Sequence, residues 1–105
     1  RMDQQVKVNG HRVELEAVSK AVSDATGCAV IAIQLDQKIY AFVEGRLLTK
    51  NEVQELLEET GKILDQYAQP SGIFCIDRFP QNENNKIDVS ALKIEALKQI
   101  EMTSR

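Results

Sequence analysis

The sequence predicts an α+β fold: a small N-terminal hairpin, then a mainly antiparallel three-stranded sheet covered by about three helices. An Asn-Gly dipeptide lies between short alternating segments, which is typical of a hairpin. Three short apolar segments are rich in β-branched residues, and three longer segments have apolar residues at helical spacing. The 105 residues suffice for one domain with a modest core, and we expect the helices to cover one face of the sheet.

The first element is a hairpin with a two-residue type I′ turn at Asn9 and Gly10. This turn determines which residues of the two strands lie opposite each other. The expected pairs are Val8 with His11, Lys7 with Arg12, and Val6 with Val13. Because side chains alternate along a strand, Lys7 and Arg12 share one face of the hairpin. The other face carries Val6, Val8, His11 and Val13.

Lys7 and Arg12 therefore lie directly opposite each other, which is mildly unfavourable for like charges. Three explanations are open: solvent screens the two cations, Glu14 offsets them, or an anion binds between them. Screening is the simplest on local grounds. We interpret His11 as a half-packed strand residue rather than a ligand.

The middle of the chain predicts a helix followed by two paired strands. Apolar residues at helical spacing are Leu15, Val18, Val22 and Ala25. Gly27 is placed to end this helix. Residues 28–35 are nearly all apolar and predict a buried strand. Asp36 and Gln37 then turn the chain, and residues 38–43 return as the second strand.

Thr49 begins the next helix, because with Glu52 it forms a Thr-x-x-Glu capping box. The residues expected to be buried on this helix are Val53, Leu56, Leu57, Leu64 and Tyr67. Pro70 cannot continue a helix, so the helix ends at or before Gln69. Residues 73–77 predict a third short strand.

A polar loop connects the third strand to the last helix. It contains no apolar residue between Pro80 and Ile87, and its one lysine is Lys86. Asparagines beside proline favour turns, so the loop holds this cation at a fixed place on the surface. Asp88 is expected to cap the last helix, and the polar tail over residues 101–105 is expected to fray.

Composition excludes several classes of function. The net charge of −3 disfavours a nucleic-acid surface, and no apolar run approaches the roughly 20 residues of a membrane span. Cys28 and Cys75 lie in apolar segments and are interpreted as reduced, buried side chains, which fits a cytoplasmic protein. We expect no metal site, because His11 is the one histidine. No glycine-rich phosphate loop or nucleophile elbow is present, so the chain is interpreted as contributing to a site completed elsewhere.

Two sets of motifs resemble those of the ATP-dependent adenylate-forming (AMP-binding) enzymes: acyl-CoA synthetases, adenylation domains of nonribosomal peptide synthetases, and luciferases. The eighth core motif of that family is similar to residues 1–15. The segment leading into the tenth motif is similar to residues 67–70, 77–80 and 85–88 and to Leu92. The matches occur in the family's order and frame nearly the whole chain.

The resemblance implies that residues 1–105 are the small, mobile C-terminal lid subdomain of such an enzyme, with a hinge over residues 1–5 at Asp3. It implies that Lys86 enters the active site for adenylation. It also implies that Gly10 and its hairpin, with Lys7, face the site in a second, thioester-forming step. Asn85 stands where the family has glycine, a mild departure because asparagine tolerates positive φ.

The implied reaction converts a carboxylic acid and ATP to acyl-AMP and pyrophosphate, then transfers the acyl group to the pantetheine thiol of coenzyme A or of an acyl or peptidyl carrier protein. The implied partner is a large N-terminal subdomain, which would hold ATP, Mg²⁺ and the acid, so the isolated lid is expected to be inactive. One alternative is a free-standing α+β binding or interaction domain without catalytic activity. Another is a stable domain with a solvated lysine loop.

Overall fold

The computed structural model describes residues 5–64 and 66–103, and it confirms the α+β class. Its elements in chain order are β1 (Gln5–Val8), β2 (His11–Glu14), α1 (Leu15–Thr26), β3 (Val30–Leu35), β4 (Lys38–Glu44), α2 (Lys50–Ile63), a short 3₁₀ turn (Gln66–Ala68), β5 (Gly72–Ile76) and α3 (Val89–Thr103). Strands β1 and β2 form a two-stranded sheet, and β3, β4 and β5 form a three-stranded sheet in that order.

The N-terminal hairpin has the register expected from the Asn-Gly turn. Strand β1 pairs antiparallel with β2, and Lys7 lies opposite Arg12 as predicted. The other two predicted pairs, Val8 with His11 and Val6 with Val13, are also present. Asn9 and Gly10 have φ values of 53° and 84°, the left-handed angles that a type I′ turn requires at both central positions. The local turn signal alone was sufficient for this element.

The larger sheet is mixed. Strands β3 and β4 pair antiparallel across the turn at Asp36, whose φ is 61°. Strand β5 instead pairs parallel to β4, with Phe42 opposite Phe74. Parallel neighbours need a long crossover connection, and α2 with the 3₁₀ turn supplies it. The prediction of antiparallel pairing therefore holds for β3 with β4, whereas β5 is parallel to β4.

The helices cover both faces of this sheet, so the prediction that they cover one face is wrong. On one face, Ala41 and Val43 pack in one cluster with Val22 of α1 and Leu56 of α2. On the other, Phe42 packs in one cluster with Leu92 and other residues of α3. The reason is visible in β4, in which residues 39–43 are all buried. A strand buried on both faces is a continuous apolar run and needs cover on each side.

Helices α1 and α2 have the predicted terminal contacts. Gly27 ends α1 in the left-handed conformation with φ 73°, and its N–H donates to the Ser23 carbonyl at 2.7 Å. At the start of α2, the Thr49 hydroxyl accepts from Glu52 N–H at 3.1 Å, and Glu52 Oε1 accepts from Thr49 N–H at 2.9 Å. The capping box is therefore confirmed with both of its hydrogen bonds.

Helix α2 ends at Ile63, well before Pro70. The chain then leaves the helix axis and forms the 3₁₀ turn, so Tyr67 does not continue the buried stripe of α2. Its side chain is 42% exposed, and the prediction that it is buried on this helix is wrong. Leu64, the other residue expected near this end, does pack against the core cluster that contains Val8 and Val13.

The last helix, α3, continues through Thr103. It therefore includes the first three residues of the segment expected to form a frayed tail, and fraying of that tail stays a prediction. Within residues 5–64 and 66–103, none of the helices combines the length and apolar character needed to cross a bilayer. Cys28 and Cys75 are both free thiols with partly buried side chains.

Replacing Thr49 tests the capping box. Thr49→Ala removes the hydroxyl that accepts Glu52 N–H, and we expect it to lower the free energy of unfolding by about 1 kcal/mol. Thr49→Ser keeps the hydroxyl and should retain most of the stability. Urea titrations of the three proteins at neutral pH provide the comparison, and equal midpoints for all three would show that the cap contributes nothing.

Glu52 gives this helix start a pH dependence. Its pKa lies below its ordinary value of 4.5, chiefly because its carboxylate accepts Thr49 N–H and also because Arg46 is nearby. A lowered pKa contributes stability that is complete above 4.5 and is lost as the pH falls through the folded-state pKa. The stability difference between the wild type and Glu52→Gln should therefore be present at pH 7 and shrink in acid. A difference that grows on acidification, measured by urea titration at several pH values, would contradict this sign.

Candidate functional site

The polar segment of residues 80–88, here called the lysine loop, is a small closed structure. Gln81 and Ile87 form an isolated antiparallel bridge at its base. Asp88 N–H donates to the Pro80 carbonyl at 2.9 Å, which closes the two ends of the loop. These bonds pair the backbone of the entering and leaving chain, so the loop has a defined shape although its residues from 81 to 86 are exposed.

Asn82 organises the interior of the lysine loop. Its side-chain Oδ1 accepts from the N–H groups of Asn84 at 2.8 Å and Lys86 at 3.1 Å. Its own N–H donates to the Lys86 carbonyl at 2.8 Å, and its carbonyl accepts from Asn85 N–H at 3.0 Å. Asparagine favours turns because its side chain can take the place of backbone partners in this way. Asn82 therefore determines the backbone conformation at Lys86.

Asn85 precedes the lysine in the left-handed region, with φ 61°. Glycine adopts this conformation at no steric cost, and asparagine is one of the few other residues that tolerate it. This agrees with the expectation that Asn85 can substitute for the glycine of the family motif.

Both ends of the lysine loop are attached to the core. Phe79, the residue just before the loop, is buried. Its N–H donates to Oε2 of Glu44, the last residue of β4, at 2.8 Å. At its other end, Ile87 packs against the cluster that contains Phe79, and Asp88 Oδ1 accepts from Ala91 N–H at 3.1 Å. The predicted capping role of Asp88 is thus confirmed, and the loop is joined directly to the start of α3.

Lys86 itself is exposed on this hydrogen-bonded loop. Among the described residues, the ion pairs are Lys20 with Asp24 and Arg46 with Glu52, and neither involves Lys86. Its ammonium group is therefore available for an anionic ligand. An ammonium suits carboxylate or phosphate oxygens because it is a compact charge with three donors.

The hairpin tip carries the second set of predicted site residues. Lys7 and Arg12 are exposed and opposite each other, and Gly10 is exposed with φ 84°. No heavy atom comes within 4 Å of the place a Cβ on Gly10 would occupy, so the requirement for glycine here is conformational. His11 is also exposed, and its ring stacks on Tyr67 with centroids 3.4 Å apart.

The lysine loop and the hairpin are neighbours on the molecule but separate as sites. Val6 of β1 and Ile87 of the lysine loop line the same groove of about 480 Å³ along β3. In the part of the chain that the structure describes, no hydrogen bond or ion pair joins Lys86 to Lys7 or Gly10. Asp3, the predicted hinge residue, lies outside the described residues. Residues 5–64 and 66–103 contain no group of three or more potential metal-ligating side chains.

Two supporting residues were missed at the level of sequence. Asn82 could have been found, because an asparagine two residues before another polar turn residue is typical of an Asx turn. Glu44 carried no such signal, because its partner Phe79 is 35 positions away.

The chain has relatives among nonribosomal peptide synthetases and adenylate-forming reductases. Over 96 residues it is 32% identical to the nonribosomal peptide synthetase kk1B of Curvularia clavata, covering 84% of this chain and 1% of the relative. Over 102 residues it is 31% identical to the adenylate-forming reductase 03009 of Coprinopsis cinerea, covering 96% of this chain and 10% of the relative. No family model matches the chain.

Solved structures share the fold. A Brucella canis acyl-CoA synthetase superposes with a TM-score of 0.76 at 20% identity, covering 94% of this chain and 20% of that protein. The Vibrio cholerae adenylation domain AlmE, in complex with glycyl-adenosine-5′-phosphate, superposes with a TM-score of 0.76 at 24% identity. The match covers 93% of this chain and 19% of that protein. The chain thus spans a tenth or less of these two curated relatives and about a fifth of these two solved proteins.

Asn82→Ala should loosen the lysine loop without unfolding the domain. It removes the acceptor shared by two backbone N–H groups, and we expect amide exchange at Asn84 and Lys86 to become faster by about tenfold. Asn84→Ala is the matched control, because the bond at Asn84 uses its backbone. Exchange measured by NMR that is the same in both variants and in the wild type would show that Asn82 does not hold the loop.

Proposed function

We propose that this chain is the C-terminal part of an adenylate-forming ligase, that it acts as the mobile lid of such an enzyme and that it supplies Lys86 to the adenylation step. The sequence relatives support the family, and the fold shared with an acyl-CoA synthetase and an adenylation domain agrees with it. The observation that carries the proposal is the lysine loop. It presents an unpaired cation on a backbone that is closed by hydrogen bonds and anchored at both ends to the core.

A cation at Lys86 would suit the charge that develops in the adenylation step. A carboxylate oxygen of the acid attacks the α-phosphorus of ATP, and the bond from that phosphorus to the bridging oxygen of pyrophosphate breaks. Negative charge is redistributed over phosphate oxygens during the transfer. A donor already held in place stabilises this charge without reorganising, and Lys86 contacts the acid carboxylate and nucleotide oxygens in this role.

The large N-terminal subdomain is proposed to hold ATP, the acid and Mg²⁺, which neutralises phosphate charge. The protein ligands of Mg²⁺ would then belong to that subdomain. The AlmE structure, which contains an aminoacyl-adenylate, supports adenylate chemistry for proteins of this fold.

The hairpin is proposed to serve the second step. After a swing about Asp3, the tip at Gly10 faces the site with Lys7, and the thiolate of a pantetheine group attacks the acyl-adenylate carbonyl and releases AMP. The exposed glycine tip supports this role, because a backbone without a side chain can approach a ligand closely. The acceptor is coenzyme A or a phosphopantetheine carrier protein, and the relationship to a nonribosomal peptide synthetase supports the carrier. A cytoplasmic location stays a prediction.

Replacing Lys86 separates the two steps. In the complete enzyme we expect Lys86→Ala to lower the adenylation rate by about 10²–10³, because one preorganised charge contact to the transition state is lost. Thioester formation from supplied acyl-adenylate should be nearly unchanged. Adenylation is measured by pyrophosphate exchange and the second step by thioester formation.

The exposed Lys98 of α3 provides the matched control, and Lys98→Ala should leave both steps intact. Equal losses in both steps for Lys86→Ala would contradict the proposed role. Full adenylation activity without Lys86 would instead favour the alternative of a binding or interaction domain.

A further inference from the structure

Two glutamines of the larger sheet hold the backbone of the N-terminal hairpin. Gln34 in β3 donates from Nε2 to the Lys7 carbonyl at 2.7 Å. Gln37, in the β3–β4 turn, accepts at Oε1 from Asn9 N–H at 2.6 Å. These bonds join segments 27 and 28 positions apart in the chain, and they end on the two residues that flank Val8 just before the tip.

The two backbone groups are ones that the hairpin itself leaves unpaired. In a hairpin with a two-residue turn, Val8 and His11 form the hydrogen-bonded pair next to the turn, so the Lys7–Arg12 pair points its backbone groups outward. Asn9 N–H belongs to the turn and has no partner across the ladder. A two-stranded hairpin is only marginally stable alone, so contacts of this kind decide where its tip lies.

The segments that carry the glutamines adjoin the buried core. The two glutamines lie on β3 and on the adjoining turn, next to Ile33 and Ile39, whose side chains are only 1% exposed. On the β2 side of the tip, the His11 ring stacks on Tyr67 of the 3₁₀ turn. The tip is thus attached at Lys7, at Asn9 and at His11, and in each case the partner belongs to an element outside the hairpin.

We propose that Gln34 and Gln37 are positioning residues for the thioester-forming step, in that they hold the Gly10 tip at the place where the lid must present it. This inference rests on the proposed function, because the step itself belongs to that proposal. Neither side chain is assigned a contact with substrate. Each acts through a main-chain group of the hairpin, so its loss should affect the second step and spare adenylation.

The polarity of the two bonds gives the proposal a specific signature. Gln34 must present its amide nitrogen, because the Lys7 carbonyl can only accept, whereas Gln37 must present its oxygen, because Asn9 N–H can only donate. Glutamate keeps the acceptor but lacks the donor. Gln37→Glu should therefore preserve its bond, and Gln34→Glu should break its bond and place a carboxylate against a carbonyl oxygen.

The test uses the complete enzyme and four variants: Gln34→Glu, Gln37→Glu, Gln37→Ala and, as a control, Gln54→Glu on the exposed face of α2. Thioester formation from supplied acyl-adenylate should fall by about tenfold in Gln34→Glu and Gln37→Ala, as expected for one lost hydrogen bond. It should stay near the wild-type rate in Gln37→Glu and in the control. Pyrophosphate exchange should be unchanged in all four.

Hydrogen exchange over residues 6–13 of the same proteins gives a second measurement that does not depend on catalysis. Faster exchange in Gln34→Glu and Gln37→Ala, with no change in Gln37→Glu, would establish the attachment of the tip. If the thioester rate were then unchanged, or if both steps fell together, the positioning role would be overturned. Failure of the proposed function itself would appear elsewhere, as full adenylation activity in Lys86→Ala.

Discussion

The burial of β4 on both of its faces is the constraint on which the rest of this structure depends. Ala41, Phe42 and Val43 have no exposed surface, and successive side chains point to opposite sides of the sheet. One face is covered by α1 and α2 and the other by α3. Because the chain must bring a helix to each face, the segments that precede α1 and α3 are both fixed next to the core. These segments are the hairpin and the lysine loop.

The two segments are held by the same kind of interaction, a side chain that bonds an otherwise unpaired backbone group. Asn82 and Glu44 accept backbone N–H groups of the lysine loop and of the residue before it, while Gln34 and Gln37 bond the hairpin. Such bonds determine the backbone without using the cations. The ammonium groups of Lys7 and Lys86 take no part in these bonds, which suits the proposed lid, because that lid would stabilise charge on another body's substrate.

The proposed lid role combines two requirements that would conflict within a single element. It must move as a whole between two orientations, yet each presented group must arrive within a fraction of an ångström of its target. A small core covered on both faces suits the first requirement, because a packed domain can move as one unit. The local hydrogen bonds of each loop meet the second. The positive φ at Asn85, the residue before the lysine, is held by the hydrogen bonds of the closed turn.

The sequence by itself determined the features whose partners are close along the chain. These are the register of the hairpin from Asn9 and Gly10, the end of α1 at Gly27, and the capping box at Thr49. Each depends on backbone angles or hydrogen bonds within about five residues, which the local sequence encodes directly.

Only the tertiary structure decided that β5 runs parallel to β4, that helices cover both faces, and that Tyr67 leaves the α2 stripe to stack on His11. The same holds for the glutamine bonds to the hairpin and for Glu44 at Phe79. Their partners are 27 to 35 positions apart, and a pattern of polar and apolar residues does not state which distant backbone group a side chain will meet.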